Sequence, residues 1–373
     1  YDVLQNKHSI LKNYPIMGHF RFIFEEFRPE IRQYFIEADR DALPFSRMQR
    51  SLVYQRAKNE NSDKPFGSIL NVYEDNYRFV SHSITPCKVA DPQTFRLLIC
   101  NEQCTYPVSA SILNISAMSF GSMSANAIRA LNLGAKKGDF FHDTGEGSIS
   151  PYHLEYGGDL VWEIGSGYFG CRTLDGQFDP ERFAAQAKLP QVKMIEIKLS
   201  QGAKPGHGGI LPKSKISEEI AQIRGISRDH DCVSPSSHPA FSTPIEMMHF
   251  IQKLRELSNG KPVGFKLCLG QPWQFMSMVK AMLHTQIYPD FIVVDGSEGG
   301  TGAAPIELID YVGAPLRDGL LFVHNTLVGA GLRDKIKIGA SGKIISAFDI
   351  ASTLAIGADW GSSARGFMLA GGC

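Results

Sequence analysis

The chain has 373 residues, 43% hydrophobic and 20% charged, which suits one large or two small domains with a sizeable buried core. Its 38 basic and 38 acidic side chains cancel, which argues against a nucleic-acid binder. No stretch is long and apolar enough to span a membrane, and residues 1–25 lack the unbroken apolar run of a signal peptide, so the reading is a cytoplasmic protein.

The chain starts on Tyr1 and stops at Gly371-Gly372-Cys373, which reads as a piece of a longer protein and leaves an N-terminal anchor open. Residues 1–84 read as a lead-in. Ile16 to Phe27 predicts a helix, and Pro29-Glu-Ile-Arg-Gln-Tyr-Phe-Ile-Glu resumes the helical pattern after a short break, with Pro at its first turn. Arg47, Arg50 and Arg56 then read as a solvated or docking face. Ser68 to Tyr73, Tyr77 to Val80 and Phe95 to Cys100 read as short strands, antiparallel or irregular, that cover one end of the main domain. The seven cysteines, at 87, 100, 104, 171, 232, 268 and 373, are too few and too scattered for a disulfide framework and read as reduced thiols. Cys100 and Cys104 read as core or loop residues rather than metal ligands.

Residues 85–373 form the main domain, and from Leu113 the rhythm becomes strand, loop, helix. Strands are predicted at Leu113–Ser116, Phe140–Thr144, Met194–Leu199, Val263–Leu267, Phe291–Val294, Ile336–Ile338 and Asp359–Gly361. Helices are predicted at Ala125–Lys137, Ile216–Ile223, Pro244–Leu257, Phe275–His284 and Ser346–Ile356. Helices between short apolar strands imply a parallel sheet, and seven or eight such units favour a closed (β/α)8 TIM barrel over an open sheet. The loops rich in Gly, Ser and Lys all follow strand C-terminal ends, so in a barrel they converge on one rim.

The longest of these stretches, Ile195 to Pro212, carries four glycines, two prolines and two lysines, a composition suited to an anionic ligand. Gly339-Ala-Ser-Gly-Lys and Gly361-Ser-Ser-Ala-Arg occupy the last two units, the usual phosphate position in barrels that hold a nucleotide or a flavin. Lys266 lies inside the strand Val-Gly-Phe-Lys-Leu. It reads either as a lysine at the pyrimidine edge of a flavin or as the partner of a carboxylate such as Glu196 or Asp295. Lys198 stands in the equivalent place on its own strand. Glu146, between two glycines, reads as an ammonium-binding or proton-transferring carboxylate, or as a helix cap. Arg172, Gln201 and Lys204 suit the carboxylates of a small diacid. His153 and His207 lack partners at metal-ligand spacing.

Met118-Ser-Phe-Gly-Ser-Met-Ser, Thr144-Gly-Glu-Gly, Glu196-Ile-Lys-Leu-Ser-Gln-Gly-Ala-Lys-Pro-Gly-His-Gly-Gly and Gly299-Gly-Thr-Gly-Ala-Ala-Pro follow one another in the order found in the FMN-binding synthase domain of glutamate synthase. The chain resembles that domain over roughly residues 85–373. Residues 1–60 resemble the lead-in of stand-alone bacterial members without a glutaminase domain. The resemblance implies an FMN barrel that makes glutamate from 2-oxoglutarate and ammonia through 2-iminoglutarate, with hydride from reduced FMN. It implies Glu146, Lys198 and Lys266 as catalytic residues, and Arg172, Gln201, Lys204 and Glu298 around the substrate. It implies Met118, Ser119, Lys266, Gly296, Gly299, Gly300, Ser341, Gly342, Ser362 and Ser363 around FMN. Electrons would arrive from ferredoxin or a reductase subunit through a 3Fe-4S cluster, for which Cys373 matches the first ligand. The chain departs from the family at Ser297-Glu298 and Ser341-Gly342-Lys343, where the family has His-Asp and Asp-Gly-Gly. It also lacks the amidotransferase domain with its N-terminal catalytic Cys. Two other readings keep FMN: an oxidoreductase of another 2-oxo or 2-hydroxy acid, and a non-catalytic electron-transfer module.

Overall fold

The computed structural model describes the chain except residues 1, 6, 39–40, 42, 90, 92–94, 205–207, 302–303 and 373. The chain divides into two units, Tyr1–Phe66 and Gly67–Cys373. The first unit is helical, with helices at Ser9–Asn13, Met17–Ile31 and Arg47–Ala57. The predicted break at Pro29 is absent: Pro29 lies inside the second helix, which runs on into a π-helical turn at Arg32–Ile36. Proline removes only one N–H from the ladder, and the helix continues through it. Ser46 and Gln49 form a capping box that starts the third helix. Arg50 pairs with Glu37 at 2.7 Å, so this arginine is not simply a solvated charge.

Among the described residues the second unit holds twelve strands: β1 (Arg96–Ile99), β2 (Val108–Ser111), β3 (Leu113–Ile115), β4 (His142–Asp143), β5 (Leu160–Ile164), β6 (Val192–Lys198), β7 (Ile210–Leu211), β8 (Cys232–Val233), β9 (Val263–Leu267), β10 (Phe291–Asp295), β11 (Lys337–Ser341) and β12 (Trp360–Ser363). Eight of them close a parallel barrel in the order β3-β4-β5-β6-β9-β10-β11-β12. The (β/α)8 barrel expected from the strand–helix alternation is the fold. The strand β5 and the helices Pro180–Ala187 and Leu316–Gly329 were not among the predicted elements. Ser68–Tyr73 and Tyr77–Val80 form no strands. Their apolar residues Ile69, Leu70, Val72, Phe79 and Val80 are exposed, with no partner strand to pair against.

Alternation along each strand separates two environments. On β6, Met194 and Glu196 line the barrel interior, whereas Ile195 and Ile197 pack outward. The outer core joins them to Trp162, Phe265, Ile292 and Ile338, and to helix residues such as Phe183, Met248, Leu254 and Leu320. Side-chain caps begin several helices: Ser124, Asp179, Ser217, Thr243 and Ser346 each accept a first-turn N–H.

The antiparallel pair β1–β2 closes the N-terminal end of the barrel. Ile99, Val108 and Ala110 pack with Phe141, Met194, Phe291 and Trp360, which lie at or near the starts of their strands. This hairpin is the cover expected of the lead-in, and Asn101 N donates to Asp290 Oδ1 to hold it. Ile99 is fully buried, so Ile99→Ala is expected to lower stability by about 2–5 kcal/mol in urea denaturation. Just beyond β1, Cys100 and Cys104 form a disulfide, which corrects the expectation of reduced thiols there. The turn between them brings their Cα atoms to 5.3 Å, inside disulfide range. Cys87, Cys171, Cys232 and Cys268 are free. Among the described residues no helix is long and apolar enough to cross a membrane.

Candidate active site

The strand C-terminal ends and their loops assemble a charged layer above the apolar floor. Neighbouring strands put charged residues side by side: Glu163 of β5 is in register with Glu196 of β6, and Lys198 of β6 with Lys266 of β9. Glycine lets the loops meet. A Cβ on Gly202 would run into the Gly296 carbonyl, and one on Gly145 (φ +64°) would lie 2.7 Å from Ser119 N. The loop after β6 is pinned to β10 by Gly202 N donating to Asp295 Oδ2 at 2.9 Å.

Three of the predicted residues form one cluster on the rim. Lys198 Nζ lies 2.8 Å from Glu146 Oε1, and Lys204 Nζ lies 4.0 Å from the same oxygen. Glu146 is therefore an ion-paired rim carboxylate and not a helix cap. Burial pushes its carboxyl up, but the ammonium groups of Lys198 and Lys204 outweigh burial and hold it at about 2. Burial lowers Lys204, and Lys198 adds to this. His238 braces the strand end, with Nε2 2.8 Å from the Lys198 carbonyl and Nδ1 3.2 Å from the Tyr168 hydroxyl.

Beneath the rim, Lys266 forms buried ion pairs with Glu163 and, at 3.4 Å, with Glu196. One oxygen each of Asp143, Glu163 and Glu196 lies within 4.8 Å of the others. Burial raises the Glu196 carboxyl well above the usual range, and the Asp143 and Asp295 carboxylates add to it. Burial raises Asp143 as well, against the pull of Lys266. The carboxylate-partner reading of Lys266 is thus met by Glu196 and by the unforeseen Glu163. Asp295 instead accepts from Ser341 Oγ at 2.5 Å and from Gly202 N.

The remaining predicted residues take varied places. Arg172 sits over the Phe169 ring, and the buried Arg224, absent from the sequence-based set, sits over the same ring at 5.2 Å. The Nε atoms of both arginines are buried without a hydrogen-bond partner. Gln201 lies half-buried beside Gly202. Glu298 Oε2 accepts from Leu316 N at 2.9 Å at the start of a helix, and its carbonyl accepts from Arg365. Met118 packs its side chain with Ile115 and Leu131, and Ser119 Oγ lies 2.9 Å from Ser122 Oγ. Gly296 N donates to the Ser341 carbonyl and Gly299 N to the Gly296 carbonyl. Gly300 lies against Arg365, and Gly342 against Glu298. Ser363 Oγ donates to the Ile344 carbonyl, and Ser362 lines the barrel interior. Cys373 and His207 lie outside the described residues, so the cluster ligand stays an expectation. His153 is buried against His142, with ring centroids 5.1 Å apart.

His142 gives a pH prediction. Burial lowers it to about 3, and neither ring nitrogen has a partner. Below about pH 6.5 the unfolded chain takes up a proton that the folded protein refuses until about pH 3. Its contribution is therefore intact above 6.5 and lost as pH falls toward 3, by about 5 kcal/mol in all. His142→Phe is expected to flatten the stability-versus-pH curve in that window, as read from urea midpoints.

The residues present fit a phosphorylated flavin. Cations and glycine loops ring the strand ends, and Arg224 Nε is a buried polar atom without a hydrogen-bond partner among the described residues. The Ser341 and Ser363 hydroxyl protons are already donated to Asp295 and to the Ile344 carbonyl, which leaves backbone N–H groups of those loops for a phosphate.

Residues 73–373 match the family described as the conserved region in glutamate synthase. The glutamate synthase large subunit-like protein YerD of Bacillus subtilis is 36% identical, over all of this chain and 78% of its own length. The archaeal glutamate synthase (NADPH) of Methanocaldococcus jannaschii is 32% identical, over 69% of this chain and 48% of its own length, so the chain spans about half of that relative. Solved structures are more distant: a flavocytochrome b2 variant with benzoylformate is 14% identical, with a TM-score of 0.47 over 76% of this chain and 64% of its own, a likeness too faint to bear on function. By the family match over residues 73–373 and the YerD relative, the chain belongs to the glutamate synthase family.

Proposed function

We propose that the chain is an FMN-dependent oxidoreductase that makes glutamate from 2-oxoglutarate and ammonia. The observation that carries this reading is the Glu146 carboxylate held between Lys198 and Lys204 on the rim above buried Lys266. A carboxylate near pKa 2 is ionised at neutral pH and is a weak base. Its role is to bind and orient ammonia or ammonium beside the keto carbon, with Lys198 and Lys204 fixing its direction. Arg172 and Arg224, with Gln201, hold the two carboxylates of the keto acid, because guanidinium groups suit bidentate carboxylate contacts. Lys204, lowered by burial, donates a proton to the departing oxygen as the imine forms. FMN supplies the two-electron reduction of that imine. Lys266 would face the ring, and the backbone at Ser341–Lys343 and beside Arg365 would hold the phosphate. The electron donor is proposed to be ferredoxin or a reductase subunit.

The test is purification of a form extended past Cys373 and its visible spectrum. Flavin absorbance, with FMN released on denaturation, is expected. A colourless protein that takes up no added FMN would overturn the reading.

A further inference from the structure

The barrel interior holds more acid than one lysine can balance. Asp143 of β4, Glu163 of β5 and Glu196 of β6 are each at most 5% exposed, and Lys266 of β9 is the ammonium that pairs with two of them. The other groups facing this space are Asp295 of β10, Ser341 of β11, Ser362 of β12 and Ser116 after β3. Lys198, one strand over, is engaged with Glu146. Three ionised carboxylates with one ammonium would leave a net charge of minus two in a space closed to water, which is strongly unfavourable.

The geometry says where the balancing proton sits. One carboxyl oxygen of Glu196 lies within 4.8 Å of one of Asp143, a spacing that two buried ionised carboxylates hold only at high cost and that a proton on one of them relieves. Asp143 Oδ1 accepts from Gly145 N at 2.9 Å, which stabilises the ionised form of Asp143 and favours Glu196 as the proton carrier. Glu196 Oε1 is buried and faces the Lys266 ammonium at 3.4 Å without a hydrogen bond, and a cavity of about 10 Å³ lies between Glu196, Asp143, Lys266, Ser116 and Ser362. That is on the scale of one water, with polar groups enough to hold it.

We propose that this interior is an acid–base site in its own right: Glu196 carries an exchangeable proton at neutral pH, shared with Asp143, and the Lys266–Glu163 ion pair beside it sets how tightly that proton is held. The proton leaves from and returns to the Glu196 carboxyl oxygen by way of the water-sized cavity, so the interior can answer a change of charge on the rim above. Glu163 and Asp143 are positioning residues. The inference goes beyond the glutamate-forming reading and does not depend on a bound flavin.

The test is infrared spectroscopy of the purified full chain from pH 5 to 9, following the carbonyl stretch of a protonated carboxyl group and its shift in D2O. A band present at pH 7 and lost in Glu196→Gln is expected. Its titration midpoint should move to lower pH in Glu163→Gln and in Asp143→Asn, which remove negative neighbours, and to higher pH in Lys266→Met. Absence of the band at pH 7 in the wild type, its full retention in Glu196→Gln, or unmoved midpoints in the other three variants would overturn the proposal. Glutamine is the isostere of the neutral acid, so a Glu196→Gln protein that fails to fold at pH 7 also counts against it. Loss of the glutamate-forming reading would show in the visible spectrum and leave these bands unchanged.

Discussion

Lys266→Met is expected to lower folded stability by about 3–5 kcal/mol at pH 7, the loss typical when one partner of a buried ion pair is removed. The side chain is 4% exposed, and its ammonium pairs with Glu163 and Glu196. Methionine fills similar volume but leaves those carboxylates facing each other. The double variant Lys266→Met with Glu163→Gln should recover a large part of the loss, because the uncompensated charge is removed with it. A single variant within about 1 kcal/mol of wild type in urea denaturation would show that the lysine does not hold the barrel interior together. Flavin binding should weaken in the same variant, read as a lower FMN content of the purified protein.

Glu146→Gln should leave FMN content near wild type and lower ammonia-dependent glutamate formation by about 10²-fold, the scale expected when a reactant is no longer held in position. Glutamine keeps the shape of Glu146 but removes the charge between Lys198 and Lys204. Turnover should therefore fall far more than keto-acid binding, which rests on Arg172 and Arg224. A variant with turnover within a few-fold of wild type would move the ammonia site away from the Gly145-Glu146-Gly147 loop.

The sequence was most informative where strand patterning and loop chemistry agreed. The apolar run at Val263–Leu267 and the amphipathic pattern at Pro244–Leu257 have the bounds seen in the fold. The loops placed after strand ends are expected to converge on one rim, and that rim is where Lys198, Lys204 and Glu146 meet, although their pairing is not legible in the sequence. What was harder to see depended on contacts distant in sequence. Glu163 lies 103 residues from Lys266, inside Leu-Val-Trp-Glu-Ile, a strand absent from the predicted set. The signal available was a carboxylate inside an otherwise apolar strand, the mirror image of Lys266 in its own. Arg224 gave less warning, because an arginine at the end of a short helix ordinarily reads as a dipole-compensating surface charge. Ser341 and Ser363 read as phosphate-binding hydroxyls, but only the folded backbone reveals that Asp295 and the Ile344 carbonyl take their protons.

One measurement reads directly what the rim cluster of Glu146, Lys198 and Lys204 does. The extended protein, loaded with FMN and photoreduced without oxygen, is mixed with 2-oxoglutarate and ammonium while flavin absorbance is followed and glutamate is assayed. Rapid return of the oxidised spectrum, with one glutamate formed per flavin and no return when either substrate is omitted, is the predicted result. Flavin that stays reduced with both substrates present would contradict the account.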